Sequence, residues 1–312
     1  MGVWVCPGRH RNETEPPGVD QDVTQDPHHG GSEPIVYQAA LPVSASQLSM
    51  LTDLIRQHRH SIGSRWRTAV PGRQAILALA WLRHDQRLLD LARANNTSAS
   101  TIRRWGLEVL GLLAARAPRL DRVLARLASR GQTVVLVDGT LIPTRRRTGT
   151  ANRPNYSGKH KHHGLNVQAL TDTHGRLLWL SPPLPGKTAD ITAARRHRLL
   201  DRLHHHGLAA IADKGYQGWH KDLRDQTGRD QIVLTPYKAE TTRPLTSAQQ
   251  TANTILNGVR RAVETGFATL KTWRILDKLR LHTRHATTLL RALLVLIHHN
   301  QHPPTTPTQP HQ

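Results

Sequence analysis

The 312-residue sequence has a single cysteine, Cys6, so it has no internal disulfide and no cysteine-built zinc site. That scarcity fits a reducing compartment. Acidic residues are also few: 22 Asp and Glu stand against 43 Lys and Arg, a formal charge of +21. No apolar run approaches the ~20 residues that cross a bilayer. The segment Met1 to Ala39 lacks a long apolar core followed by a small-residue cleavage site. Neither a membrane span nor a secretory leader is therefore expected, and the location expected is cytoplasmic. Hydrophobic residues make up 37% of the chain, which predicts ordered cores with polar tails. A cationic excess of this size favours a polyanionic partner, because each neutralised phosphate releases counterions. Nucleic acid is the expected partner, and an anionic membrane surface is the rival.

Residues 1–40 are rich in Pro, Gly, Asp, His and Thr without periodicity and read as a disordered tail, as do residues 301–312. Residues 41–130 are helical in pattern. Ser44 or Ser46 is placed to cap a helix running through Gln57, and Ala75 to Arg83 forms a compact apolar helix. Leu88, Leu89, Leu91 and Ala92 then supply an apolar face, and Asn95 and Asn96 break the helix. Ser98 or Ser100 caps the next helix, with Ile102, Trp105, Val109 and Leu112 turned inward and Thr101, Arg103 and Arg104 outward. A short helix, a polar turn and a capped helix with basic first turns is a helix-turn-helix pattern. An ordinary helical hairpin has the same pattern.

The texture changes at Gly131. Thr133 to Val137 is a continuous β-branched run, read as a buried strand ending at Asp138-Gly139-Thr140. Leu165 to Thr171 and Leu177 to Leu180 flank Asp172-Thr173-His174-Gly175 and predict a hairpin. Asp190 opens one helix, DITAARRHRLLDRL, and reads as its N-cap, though it is also the rival of Asp213 as a site acid. Leu208 to Ala212 is a second apolar strand, ending at Asp213-Lys214-Gly215. Helices follow over Ser247 to Lys271 and Thr287 to His298. Residues 131–300 are thus expected to form an α/β domain with a central mixed sheet.

Two apolar strands each end in Asp followed closely by Gly. Sites form at strand ends in open α/β sheets, and converging carboxylate oxygens suit Mg²⁺ or Mn²⁺. Each Asp alone reads equally well as a cap of the following turn. Glu264 lies at the edge of an apolar helical face made by Ala262, Val263, Gly266, Phe267 and Leu270. It reads either as a third acid reaching the sheet or as a surface residue two turns before Lys271.

The blocks VVLVDGT, YSGKHKHHGLNVQALTD, LPGKTADITAAR, IADKGYQG and VRRAVETGFATLKTWRIL resemble, in order, those of the DDE superfamily endonucleases, the insertion-sequence transposases related to Harbinger elements. The likeness runs from about Tyr37 to Asn300, and its first part resembles the helix-turn-helix region of actinobacterial members. It implies a ribonuclease-H-like (retroviral integrase) catalytic domain behind an all-α DNA-binding domain. It maps the catalytic, metal-holding acids onto Asp138, Asp213 and Glu264. One departure is Thr265, where the family often carries Arg.

The resemblance further implies two divalent ions, with Asp138 shared between them, Asp213 on one and Glu264 on the other. Water would first free a 3′-hydroxyl at an element end, and that hydroxyl would then attack target DNA. The partners implied are double-stranded DNA, as terminal inverted repeats and as target, and a second copy of the chain. Expected DNA contacts are Arg103, Arg104, Arg145, Arg146, Arg147, Lys159, Lys161, Lys214 and Lys271. His160, His162 and His163 have no matching ligands at zinc-finger spacing, and His204 to His206 complement a helix end. The rival functions are a catalytically silent or domesticated DNA-binding protein and a nuclease without strand transfer.

Overall fold

A computed structural model describes residues 3–6, 35–38, 40–65, 67, 69–145, 150–222, 233–239 and 244–301. Within the expected N-terminal tail, β1 (Val3–Cys6) pairs antiparallel with β2 (Ile35–Gln38). The helical region holds α1 (Ala45–Ser61), α2 (Pro71–His84), α3 (Leu88–Arg93), α4 (Ala99–Ala115) and α5 (Leu120–Ser129). Their starts follow local chemistry. Ser44 and Gln47 form a reciprocal capping box on α1, Pro71 opens α2, and Ser98 accepts the Thr101 amide to cap α4. Ile102 and Val109 are buried on α4, Trp105 and Leu112 are half-buried, and Arg103 and Arg104 are exposed.

The sheet is built from β3 (Val134–Pro143), β4 (Tyr156–Ser157), β5 (His162–Thr171), β6 (Leu177–Leu180), β7 (Leu184–Pro185), β8 (Ala209–Ala212) and β9 (Val233–Leu234). β5 runs antiparallel to β3 along eight residue pairs, and β6, β7 and β4 line the far edge of β5. On its other side β3 pairs parallel with β8, and β8 parallel with β9. Between β7 and β8 lie α6 (Asp190–Arg196) and α7 (Leu199–His205); α8 (Ser247–Lys271) and α9 (Ala286–Gln301) complete the fold.

Alternation along the strands divides the core between the two faces of the sheet. Leu136, Ile142, Leu165, Val167, Ala169 and Ile211 face α8 and α9, and one continuous apolar cluster carries on from there into α1, α2 and α4. The helices of 41–130 thus share a core with the sheet. Val135, Val137, Leu170, Ala210 and Ala212 face the other way, against α5, α7 and the fully buried Trp219. Gly175, in the β5–β6 turn at φ +80°, lets α8 lie close: a Cβ there would stand 3.2 Å from the carbonyl carbon of Ala262. That approach fixes the helix carrying Glu264 against the sheet.

Three expectations need correction. β3 does not end at Asp138. It continues to Pro143 because the ten-residue β5 remains its partner after β8 has left the ladder. Asp190 is not an N-cap: Ala189 holds that position, and Asp190 is the first helical residue with its carboxylate turned to the sheet. The single helix expected from Asp190 is two, broken at His197 and Arg198, where Arg198 takes the left-handed conformation at φ +53°.

Candidate active site

The parallel ladder between β3 and β8 closes with Val137 opposite Ala212. The next residue on each strand is an aspartate, so Asp138 and Asp213 stand on adjacent strands just past the last shared rung, with strands about 4.8 Å apart. The two-residue period puts both on the face of Leu136 and Ile211, toward α8. Asp138 Oδ1 accepts the Gly139 amide at 2.8 Å, and Asp213 Oδ1 accepts the Gly215 amide at 2.7 Å, capping the turn at Lys214–Tyr216. Each aspartate therefore uses one oxygen locally and keeps the other for the site.

α8 answers with a cation. Arg260 Nη2 lies 3.6 Å from Asp138 Oδ2, with both side chains 21% exposed. Burial, and after it the Asp213 and Asp190 carboxylates, push Asp138 up to about 6, against the opposing pull of the Gly139 amide and Arg260. Glu264 is one turn beyond Arg260 on α8 and is exposed, forming no ion pair or side-chain hydrogen bond among the described residues. The structure thus brings Asp138 and Asp213 together and leaves Glu264 on the adjoining stretch of helix.

Behind β3, on the opposite face, a polar network takes the place of apolar core. Gln168, opposite Gly139 in the ladder and fully buried, accepts from the Tyr216 hydroxyl and donates to Asn166 Oδ1 at 2.9 Å. Asn166 donates to Asp190 Oδ1 at 2.8 Å and Gln168 to the same oxygen at 3.5 Å, while Lys159 lies 4.0 Å from the other oxygen. Tyr216 is pushed well above the ordinary tyrosine range, first by burial and then by Asp190, Asp138 and Asp213. Tyr216 therefore packs and bonds internally and does not reach outward. Asn166, Gln168 and Arg260 are the residues that sequence reasoning missed. The polar positions 166 and 168, two apart within an otherwise apolar strand, were the available signal.

A groove of about 790 Å³ opens beside the acids, lined by Thr140, Lys159, His160, Lys187, Asp190 and Lys271 among others. Lys159, Lys161, Lys214 and Lys271 are all exposed, as is Arg145. Arg146 and Arg147 lie outside the described residues. Lys161 and His162 line a neighbouring depression with Tyr156 and His163. Trp273 is buried beneath the Arg83 guanidinium, which sits 5.0 Å from its ring centre.

Among the described residues no three His, Cys, Asp or Glu side chains converge as a preformed metal cage. The donor set nonetheless fits a hard divalent cation: two carboxylates stand side by side past the last β3–β8 rung, each with one oxygen not taken by a backbone amide. Mg²⁺ is commonly held by one or two carboxylates with water and substrate phosphate. No helix of the described residues is long and apolar enough to cross a membrane.

Comparison with known proteins identifies relatives of the chain. Over 254 residues, spanning 80% of this chain and 89% of the relative, the sequence is 29% identical to a Streptomyces albus G protein assigned as the transposase for insertion sequence element IS112. Residues 137–298, just over half of the chain, match the family described as DDE superfamily endonuclease. That span begins one residue before Asp138 and includes Asp213 and Glu264, and on it the chain belongs to the DDE superfamily endonucleases.

Proposed function

We propose that this protein is a transposase that cuts DNA at the ends of an insertion sequence and joins those ends to target DNA. The observation that carries the reading is the placement of Asp138 and Asp213 on adjacent strands just past their last shared rung, on one face, beside a lysine-lined groove. The relative's assignment to an insertion sequence points the same way. The strand order β6-β5-β3-β8-β9, antiparallel on one side of β3 and parallel on the other, supports a ribonuclease-H-like domain over residues 131–300. The unit α3–turn–α4, with Arg103 and Arg104 exposed on α4, supports a helix-turn-helix within residues 41–130.

Asp138, Asp213 and Glu264 would hold divalent metal, Mg²⁺ or Mn²⁺, as two ions. Bound there, such cations activate the attacking oxygen and relieve charge on the transferring phosphate. Asp138 would supply Oδ2, the oxygen that Arg260 faces, and Asp213 the oxygen not bonded to the Gly215 amide. Glu264 approaches from α8, one turn past Arg260. Arg260 neutralises Asp138 until the site is loaded and then lies beside the developing charge of the transition state. Lys159 and Lys271, both lining the groove, hold the phosphate backbone in register, with Lys161, Lys214 and Arg145 extending the cationic surface.

In the first step water would attack phosphorus and the bond from phosphorus to the 3′-oxygen would break, leaving a 3′-hydroxyl and a 5′-phosphate. In the second that hydroxyl attacks a target phosphodiester, whose own 3′-oxygen departs. Only the nucleophile changes, so one site serves both steps. Two element ends cut in concert call for a homodimer or larger assembly on DNA. The experiment is to incubate the protein with Mg²⁺ and a duplex carrying the inverted repeats that flank the reading frame. Joined products mean transposition, cut ends without joining mean a nuclease, and binding without cutting means a DNA-binding protein only.

A further inference from the structure

We infer that a cavity remote from the carboxylates, between α5, β6, the α6–α7 corner and α9, is a phosphate-binding site that takes a backbone phosphate of nucleic acid. Its volume is about 520 Å³, and its lining includes Arg119, Arg196, Arg198, Arg202 and Arg291 against one acid, Asp121. Asp121 is committed to Arg202, whose Nη1 it engages at 2.8 and 2.9 Å, and Arg198 is paired with Asp201 at 3.0 Å. Arg119, Arg196 and Arg291 form no ion pair among the described residues, although they arrive from three separate parts of the chain. Like charges gathered this way repel one another unless an anion lies between them.

A further observation falls on the same corner, where His197 also lines the cavity. Arg198 stands in the left-handed region at φ +53°, which a non-glycine residue adopts at a cost. That residue breaks what would otherwise be one helix and turns Arg196, His197 and Arg198 toward one concavity. The half-buried ring of Trp179, edge-on to His197 at 6.4 Å, forms part of the wall. Guanidinium forks with an aromatic wall are the chemistry that recognises phosphate.

α6 links this cavity to the polar network behind β3: Asp190 opens the helix there, and Arg196 closes it at the cavity. At 1.5 Å of rise per residue the two helix ends are roughly 9 Å apart along the axis. Nucleic acid held here would be gripped at a second place while the carboxylates engage the phosphate to be cut.

The test uses the full chain and a short fluorescent duplex, with affinity measured by anisotropy across a range of salt. Replacing Arg196 and Arg291 by Gln should weaken binding and flatten the plot of log affinity against log salt by about 0.9 for each phosphate that is no longer neutralised. Replacing both by Lys should restore most of the slope, because charge is what the slope counts. A second arm titrates inorganic phosphate and follows its phosphorus resonance. Saturable broadening that the Gln variant abolishes, with the DNA slope unchanged, would keep the phosphate site and assign it to a small phosphate ligand. An unchanged slope together with no saturable broadening overturns the site. Neither readout involves cleavage, so failure of the proposed transposase activity and failure of this site are separately visible.

Discussion

Gly139 leaves open the space that the carboxylate of Asp190 fills. A Cβ at position 139 would stand 2.8 Å from Asp190 Cγ and closer still to its Oδ1, and 3.0 Å from Gln168 Nε2. The residue after the first site aspartate is therefore glycine for a steric reason, and its neighbour across the ladder, Gln168, is polar because it meets the same carboxylate.

Gly139→Ala should cost about 1–3 kcal/mol, as overpacking of a filled site does, and should disturb Asp138 on the other side of the strand. The cost should shrink when Asp190→Ala is added, and a double-mutant cycle by urea unfolding measures the difference. Equal costs in both backgrounds would refute the contact. Asp190→Asn, by contrast, keeps an oxygen for the Asn166 and Gln168 amides and should retain substantial cleavage, since Asp190 lies behind β3 and not on the face of Asp138 and Asp213.

Asp138 predicts a pH dependence of stability. Its carboxyl is raised from 3.8 to about 6 in the folded chain, chiefly by burial. The folded state thus holds this proton more tightly than the unfolded state does. Stability from this group is full below about pH 4 and falls as pH rises through 6, by roughly 3 kcal/mol at most. In chelator, Asp138→Asn should therefore be more stable than the parent above about pH 7, with the advantage vanishing near pH 4. Adding Mg²⁺ should stabilise the parent and not the variant. Unfolding curves that keep a constant offset across pH would show that this carboxyl does not set the trend.

Arg103 and Arg104 should carry part of the DNA affinity. They are exposed on α4, whose inner face is locked into the common core by Ile102, Val109 and Leu113. Because that core continues into α9 and the sheet, the measurement belongs on the intact chain. Changing both to Ala should lower affinity for element-end DNA and reduce its salt slope by about 0.9 for each phosphate the two side chains neutralise. Unaltered binding and slope would remove α4 from the recognition surface.

What the sequence made legible were features fixed by neighbours in the chain. The β-branched run before Asp138, the hairpin around Gly175 and the 25-residue α8, with Val263, Gly266, Phe267 and Leu270 buried, all follow from local pattern. Both aspartates of the candidate site were legible as a pair because each follows an apolar run, and the two runs meet as parallel strands. What was not legible depended on distant partners. β3 outlasts Asp138 only because β5 extends beside it. The Asp190 carboxylate turns inward because Asn166 and Gln168, more than twenty residues earlier, wait for it. Nothing in DITAARRHRLLDRL, which has no Gly or Pro, signals that Arg198 breaks the helix. Arg260 meets Asp138 across more than a hundred residues of chain, and no local rule places it there.

The most direct test is a cleavage assay on element-end duplex with the parent, Asp138→Asn, Asp213→Asn and Glu264→Gln, each in Mg²⁺ and in EDTA. The parent should cut in Mg²⁺ and not in EDTA, and each variant should lose cleavage by several orders of magnitude while binding the same DNA with the parent's affinity. Cutting by the parent in EDTA, or undiminished cutting by Asp138→Asn or Asp213→Asn in Mg²⁺, would contradict the assignment of Asp138 and Asp213 to the active site.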